Sequence, residues 1–164
     1  MSHTLVLGVG NTLLTDEGAG VHAMRHLEVM RHWPDNVEFI DAGTLSFTLA
    51  DSIASADNLV ILDAAKLDAP AGQVRAFTGD AFDEFLKSGK RSVHEVGFAD
   101  LMDIARLQDC LPDNRALIGI QPGELGWGDA PGPDVAAALP VAARLAAELI
   151  DAWTILPARE AVKQ

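Results

Sequence analysis

The chain has 164 residues, 49% hydrophobic and 22% charged, the balance of one soluble globular domain with material for a sizeable core. Its formal net charge of −12 argues against nucleic acid as a partner, because phosphate binding needs clustered cations; only Lys87, Lys90 and Arg91 bunch together, and they read as a solvated charge run. No apolar run reaches the roughly 18 residues that span a bilayer, no signal peptide is visible, and the single Cys110 rules out an internal disulfide or a cysteine-rich zinc site, so a cytoplasmic protein without membrane insertion is expected.

In chain order, Leu5-Val6-Leu7 reads as a buried first strand, followed by a Gly-rich turn and a helix with Val21, Met24, Leu27 and Met30 on one face. Val37 to Ile40 predicts the second strand, a helix of about Leu45 to Ala56 follows, and Leu59 to Leu62 predicts the third strand. These connections are long enough for parallel crossovers. The turn-rich Asp68 to Gly72 leaves no room for one, so the fourth strand, Gln73 to Phe77, should run antiparallel at an edge. Ala81 to Leu86 predicts a short helix, and about Val93 to Asp109 a longer one burying Phe98, Leu101, Met102 and Ala105. Ala116 to Ile120 predicts the fifth strand, Gln121 to Pro133 a Gly- and Pro-rich loop carrying Trp127, and the last helix carries Val141, Leu145, Leu149 and Trp153, with Pro140 starting or kinking it. Residues after Pro157 are expected to fray. The whole is one α/β domain, residues 1–164 with a core of about 4–155.

Three short segments carry chemistry. The first runs from Gly8-Val9-Gly10-Asn11 to Asp16-Glu17-Gly18. A dinucleotide-binding turn would need a small residue where Leu13 stands, and Asp16 and Glu17 would repel a pyrophosphate, so the loop suits a cation better. The structural alternative makes Asp16 the cap of the first helix and lets Glu17 favour its dipole. The second segment is Asp63, directly after an apolar strand and so at the carboxyl end of the sheet, where open α/β sheets bind ligands. The third is Ser92-Val93-His94-Glu95, whose capping-box spacing puts His94 in the first turn of a helix, where the dipole favours neutral imidazole, the form that binds metals. His22 and His26, one helical turn apart, could bind a metal but lack the Glu of a zinc-protease motif, and His3 lies near a chain end expected to be disordered. Glu17, Asp63 and His94 would together offer one nitrogen and two oxygen donors, suited to zinc, nickel or iron. Spacing alone does not make them converge.

Gly8-Val9-Gly10-Asn11, Asp16-Glu17-Gly18, Asp41-Ala42-Gly43-Thr44, Asp63-Ala64 and His94, in that order from about Leu5 to Trp153, resemble the nickel-iron (NiFe) hydrogenase maturation endopeptidases. The resemblance implies a three-layer α/β/α sandwich with a mostly parallel five-stranded sheet whose fourth strand is antiparallel. It implies an aspartic-type, nickel-dependent hydrolase that removes the C-terminal extension of a NiFe-hydrogenase large-subunit precursor, with Glu17, Asp63 and His94 as metal contacts. The nickel belongs to the substrate, though zinc or cadmium could occupy the same ligands. Asp41 is the candidate for an assisting or substrate-orienting role, and Asn11 for holding the first loop. A monomer is expected. There is no Gly-x-Ser-x-Gly elbow, and Cys110 reads as buried packing. The 121–133 loop suits either a substrate flap or a rigid cover. A checkpoint protein that senses nickel without cutting would use the same three ligands.

Overall fold

The computed structural model describes residues 1–43, 48–88, 98–123 and 125–155. Five strands form one sheet in the order β2-β1-β3-β5-β4: β1 Thr4–Val9, β2 Val37–Gly43, β3 Asn58–Ala64, β4 Val74–Thr78 and β5 Asn114–Ile120. β1 pairs in parallel with β2 and β3, and β3 with β5, while β4 runs antiparallel to β5 at the edge. The turn-rich segment before β4 is thus followed by an antiparallel strand, although its partner is β5 rather than the preceding β3.

The central strands are apolar on both faces because helices cover both. Leu5, Leu7, Leu59, Ile61 and Leu117 point into a core shared with α2 (Leu49–Ala54), α3 (Asp80–Lys87) and α4 (Phe98–Leu107). Val6, Val60, Leu62, Ile118 and Ile120 point into the opposite core, covered by α1 (Ala19–Met30) and α5 (Pro133–Ile155). The result is a three-layer α/β/α sandwich. Among the described residues, no helix is long and apolar enough to cross a membrane.

Several elements depart from the expected bounds. β3 continues through Asp63 because its ladder with β5 persists to Ala64 opposite Ile120, so Asp63 lies within the strand rather than after it. β2 likewise extends to Gly43 and contains Asp41. Met30 is exposed at the end of α1, where the chain turns away and Trp33 Nε1 donates to Leu27 O at 2.9 Å. α5 starts at Pro133, the helical position where a missing N–H costs least. Pro140 therefore sits inside it, leaving the Ala136 carbonyl without its helical donor. Its buried stripe is Val135, Ala138, Ala142, Ala143, Ala146, Ala147 and Ile150, with Val141 exposed. Leu145, Leu149 and Trp153 pack half-buried at the margin of this core, while alanines at its centre allow α5 to approach α1 and the sheet closely. His3 is not loose: its N–H donates to Asp57 Oδ2 at 2.7 Å and its ring meets Glu38 Oε2 at 3.1 Å. The expected helix starts at Leu45 and Val93 lie outside the described residues, as do Thr44, Lys90, Arg91 and the Ser92–Glu95 capping box.

At the amino-terminal edge of the sheet, buried Asn58 donates from Nδ2 to Thr4 Oγ1 at 2.9 Å and accepts from Asn114 Nδ2 at 2.8 Å. This amide ladder crosses β1, β3 and β5. Beside it, Arg115 donates from Nε and Nη2 to the two oxygens of Asp83, at 2.9 and 2.6 Å, joining β5 to α3.

Candidate active site

The carboxyl ends of β1 and β3 meet a 3-10 turn, Thr15–Gly18, that leads straight into α1. Two glycines allow this contact. A Cβ on Gly10, whose φ is +127°, would stand 2.0 Å from the Glu17 carbonyl oxygen. A Cβ on Gly20 would stand 2.1 Å from Leu62 O and 2.7 Å from Asp63 Cα. The Gly-rich loop thus serves backbone-to-backbone packing, which seats the turn bearing Glu17 directly on the end of β3. No phosphate is needed to explain it.

Glu17 is 8% exposed and Asp63 is 1% exposed. Burying a carboxylate is costly, so such groups are kept where hydrogen bonds, cations or ligands engage them. Period-two alternation with Leu59 and Ile61 turns the Asp63 side chain toward the face covered by α2, α3 and α4. His94, the third expected donor, lies outside the described residues. Among the described residues, no group of three His, Cys, Asp or Glu side chains has a metal-holding arrangement.

Asp41 has a different setting. Its Oδ2 accepts from Arg25 Nη2 at 3.1 Å and its Oδ1 accepts from Gly43 N at 3.0 Å. Alternation with Phe39 and Val37 places it on the α1 face, across the sheet from Asp63. Its carboxylate closes the turn at the end of β2, where Gly43 has a φ of +50° and its carbonyl accepts from Gly10 N at 2.9 Å.

Asp16 does not cap the first helix; neither the 3-10 turn nor α1 has a side-chain cap. Its two oxygens instead accept from Gly123 N and Gly132 N, both at 2.7 Å, clasping the ends of the long loop after β5. Leu14 bridges Gly128, Gly128 N donates to Leu13 O at 2.9 Å, Thr15 N donates to Gly128 O at 2.9 Å, and Gly126 N donates to Thr15 Oγ1. The two loops therefore form one hydrogen-bonded rim beside Glu17. Leu13, Leu125 and Trp127 project from it, 59%, 64% and 87% exposed. Asn11 holds the same rim by accepting from Leu13 N with its side-chain oxygen at 3.0 Å.

The sequence offered His22 only as a possible metal donor together with His26. Its Nε2 is buried without a hydrogen-bond partner among the described residues, and a Cβ on Gly18 would lie 3.3 Å from it. Burial, then the nearby Arg25, holds its pKa below the ordinary 6.5, against the opposing pull of Asp129 and Asp41. His26, one turn on, is exposed. A contact with the loop that precedes a helix leaves no periodic trace, which is why this burial of His22 against Gly18 gave no signal. Cys110 is half-buried rather than fully packed away, with its Sγ 3.5 Å from Ala105 O.

The profile described as HycI: Hydrogenase maturation protease matches residues 21–148. The hydrogenase expression/formation protein HupD of Bradyrhizobium diazoefficiens is 33% identical over 94% of this chain and 81% of its own. HupD of Thiocapsa roseopersicina is 40% identical over 74% of this chain, a segment that spans only 55% of the Thiocapsa protein. Among solved structures, the hydrogenase maturating endopeptidase HybD from E. coli superposes with a TM-score of 0.83 at 33% identity, covering 92% of this chain and 93% of that one. The NiFe hydrogenase maturation protease HybD from Thermococcus kodakarensis gives a TM-score of 0.76 at 30% identity, covering 90% of this chain and 98% of that one.

Proposed function

Because the chain belongs to the hydrogenase maturation protease family, we propose that it is the endopeptidase that removes the C-terminal extension of a NiFe-hydrogenase large-subunit precursor once nickel has been inserted. Glu17, Asp63 and His94 contact the nickel that the precursor carries, so that metal loading is the specificity test. The observation that carries this reading is the seating of the Glu17 turn on β3 through Gly10 and Gly20, which buries Glu17 and Asp63 at one sheet edge. Two carboxylates and an imidazole form an incomplete shell for a borderline divalent ion. Substrate-borne nickel polarises the scissile carbonyl or a water there.

The remaining groups have supporting parts. Asp41 is a positioning residue: by closing the turn after β2 it fixes the Gly43 carbonyl that holds Gly10, and through Gly10 the Glu17 backbone. The rim of Leu13, Leu125 and Trp127 gives the body of the precursor an apolar landing surface next to the site, the kind of aromatic anchor that dominates interfaces.

The test is to incubate the protein with nickel-loaded, unprocessed large subunit and read the substrate's mass. Loss of the extension, absent with nickel-free precursor, is the expected outcome. A stable complex of unchanged mass would replace the peptidase with a checkpoint that senses nickel without cutting.

A further inference from the structure

Among the described residues, β4 closes its side of the sheet with β5 as its one strand neighbour. Two bonds fix which of its main-chain groups look outward: Gln121 N donates to Gln73 O at 2.8 Å, and Gly79 N donates to Arg115 O at 3.1 Å. Residues in an antiparallel pair alternate between bonding the partner and facing away. Gln73, Arg75, Phe77 and Gly79 therefore address β5, and the N–H and C=O groups of Val74, Ala76 and Thr78 line the open edge. Such an edge is a template for an added strand.

The face of β4 that carries Arg75 and Phe77 borders a cavity of about 320 Å³ between α3 and the segment after β3. Phe77 and Phe85 stack beneath it with centroids 4.2 Å apart. Lys66 and Arg75 stand at its rim, with Glu84 as a single opposing charge, so the lining is net positive. That is unusual in a chain of net charge −12. Arg25, Arg31, Arg106 and Arg115 are each paired with an aspartate. Lys66 and Arg75 have no ion-pair partner among the described residues. The cleft also lies in line with the candidate site. Asp63 is in register with Gly119, and Gly119 with Arg75, so the three share one row and one face of the sheet. Two strand spacings put the Arg75 backbone about 10 Å from that of Asp63.

We propose that β4 and this cleft bind an extended acidic stretch of the precursor polypeptide. Its main chain pairs with Val74, Ala76 and Thr78, and an Asp or Glu side chain enters the cleft between Lys66 and Arg75, over the Phe77–Phe85 stack. The identity of the occupant rests on the peptidase reading; the chemistry of the site does not.

The probe is a pair of capped octapeptides of alternating Val and Thr, one with a central Asp-Glu and one with a central Lys-Lys, added to the ¹⁵N-labelled full chain. The acidic peptide is expected to shift the amides of Val74, Ala76 and Thr78 and to bind about tenfold more tightly, the scale of one charge-assisted hydrogen bond. Lys66→Glu combined with Arg75→Glu, both surface changes checked by melting, should reverse that preference. Absence of shifts along β4 at about 1 mM peptide, equal affinity for both peptides, or an unchanged preference in the double variant would each overturn the proposal. Precursor cleavage is scored separately: cleavage without peptide on β4 sinks the acidic subsite alone, and binding on β4 without cleavage sinks the peptidase reading alone.

Discussion

At the amino-terminal edge of the sheet, Thr4, Asn58 and Asn114 hydrogen-bond to one another and tie three strands together. The carboxyl edge buries Glu17 and Asp63 instead, charged groups whose desolvation contributes nothing to stability by itself. Both edges are polar and closely packed, yet their chemistry divides the work. Neutral amides satisfied by neighbouring strands hold the sheet in register, whereas the carboxyl edge presents acidic side chains on a turn and a strand end, the groups to which the proposed function assigns the substrate's nickel. Burial of polar atoms alone therefore does not mark a site; the kind of group and the element that presents it do.

This contrast can be broken most directly at the carboxyl edge. Glu17→Gln and Asp63→Asn should each slow precursor processing by about 100-fold or more, the scale of removing one electrostatic group from a reaction site, with the fold retained. Wild-type cleavage in both variants would end the division of labour. At the other edge, Asn58→Ala leaves Thr4 and Asn114 without their partner and should cost about 2 kcal/mol of stability, lowering Tm by about 6 °C. Processing per folded molecule should be unchanged. Asp16→Asn tests the clasp on the long loop within the carboxyl edge: it replaces one acceptor facing Gly123 or Gly132 with an amide donor, so hydrogen exchange of those two amides should speed up about tenfold while global stability changes little.

The smallest effects separate the edges by pH. His22 is held below its ordinary 6.5, mainly by burial. Its contribution to stability is therefore fully present above about pH 6.5 and is lost as pH falls through that value toward its folded pKa. Asp83 is held below its ordinary 3.8, chiefly by the hydrogen bonds from Arg115. Its contribution persists in the His22 window and fades only as pH falls below about 3.8. Stability curves of His22→Gln and Asp83→Asn should each lose one of these slopes; a single common slope would show that the two edges are not independent.

The layered fold was legible because alternation and helical periodicity report burial directly, and Gln73–Phe77 could be read as antiparallel because the chain before it is too short for a crossover. The centre of the α5 stripe was not, since alanine contributes by its smallness and leaves little hydrophobic mark, although Leu145, Leu149 and Trp153 do line its margin. Around the site, Glu17 and Asp63 stood out by residue type and by position relative to strands. The task of Asp16 was hidden because its partners lie more than a hundred residues away and are backbone amides of glycines, which no side-chain pattern reveals. Asp41 was visible as an acid at a strand end, but the face it takes depends on a β2 longer than its apolar core, with a register shift opposite Gly8 and Val9.

The strand order has a consequence for how the chain is made. β4 follows β3 in sequence but, among the described residues, pairs only with β5, which is inserted between them. While the chain leaves the ribosome, β1, β2 and β3 can assemble in sequence, but Val74–Thr78 must wait until Asn114–Ile120 has emerged. Until α5 follows, the half of the core built on Val60, Leu62 and Ile118 has α1 but lacks the rest of its cover. The nascent protein thus passes through a state with an unpaired strand and an open apolar face, and a stall in synthesis before residue 120 would leave it exposed to aggregation at both.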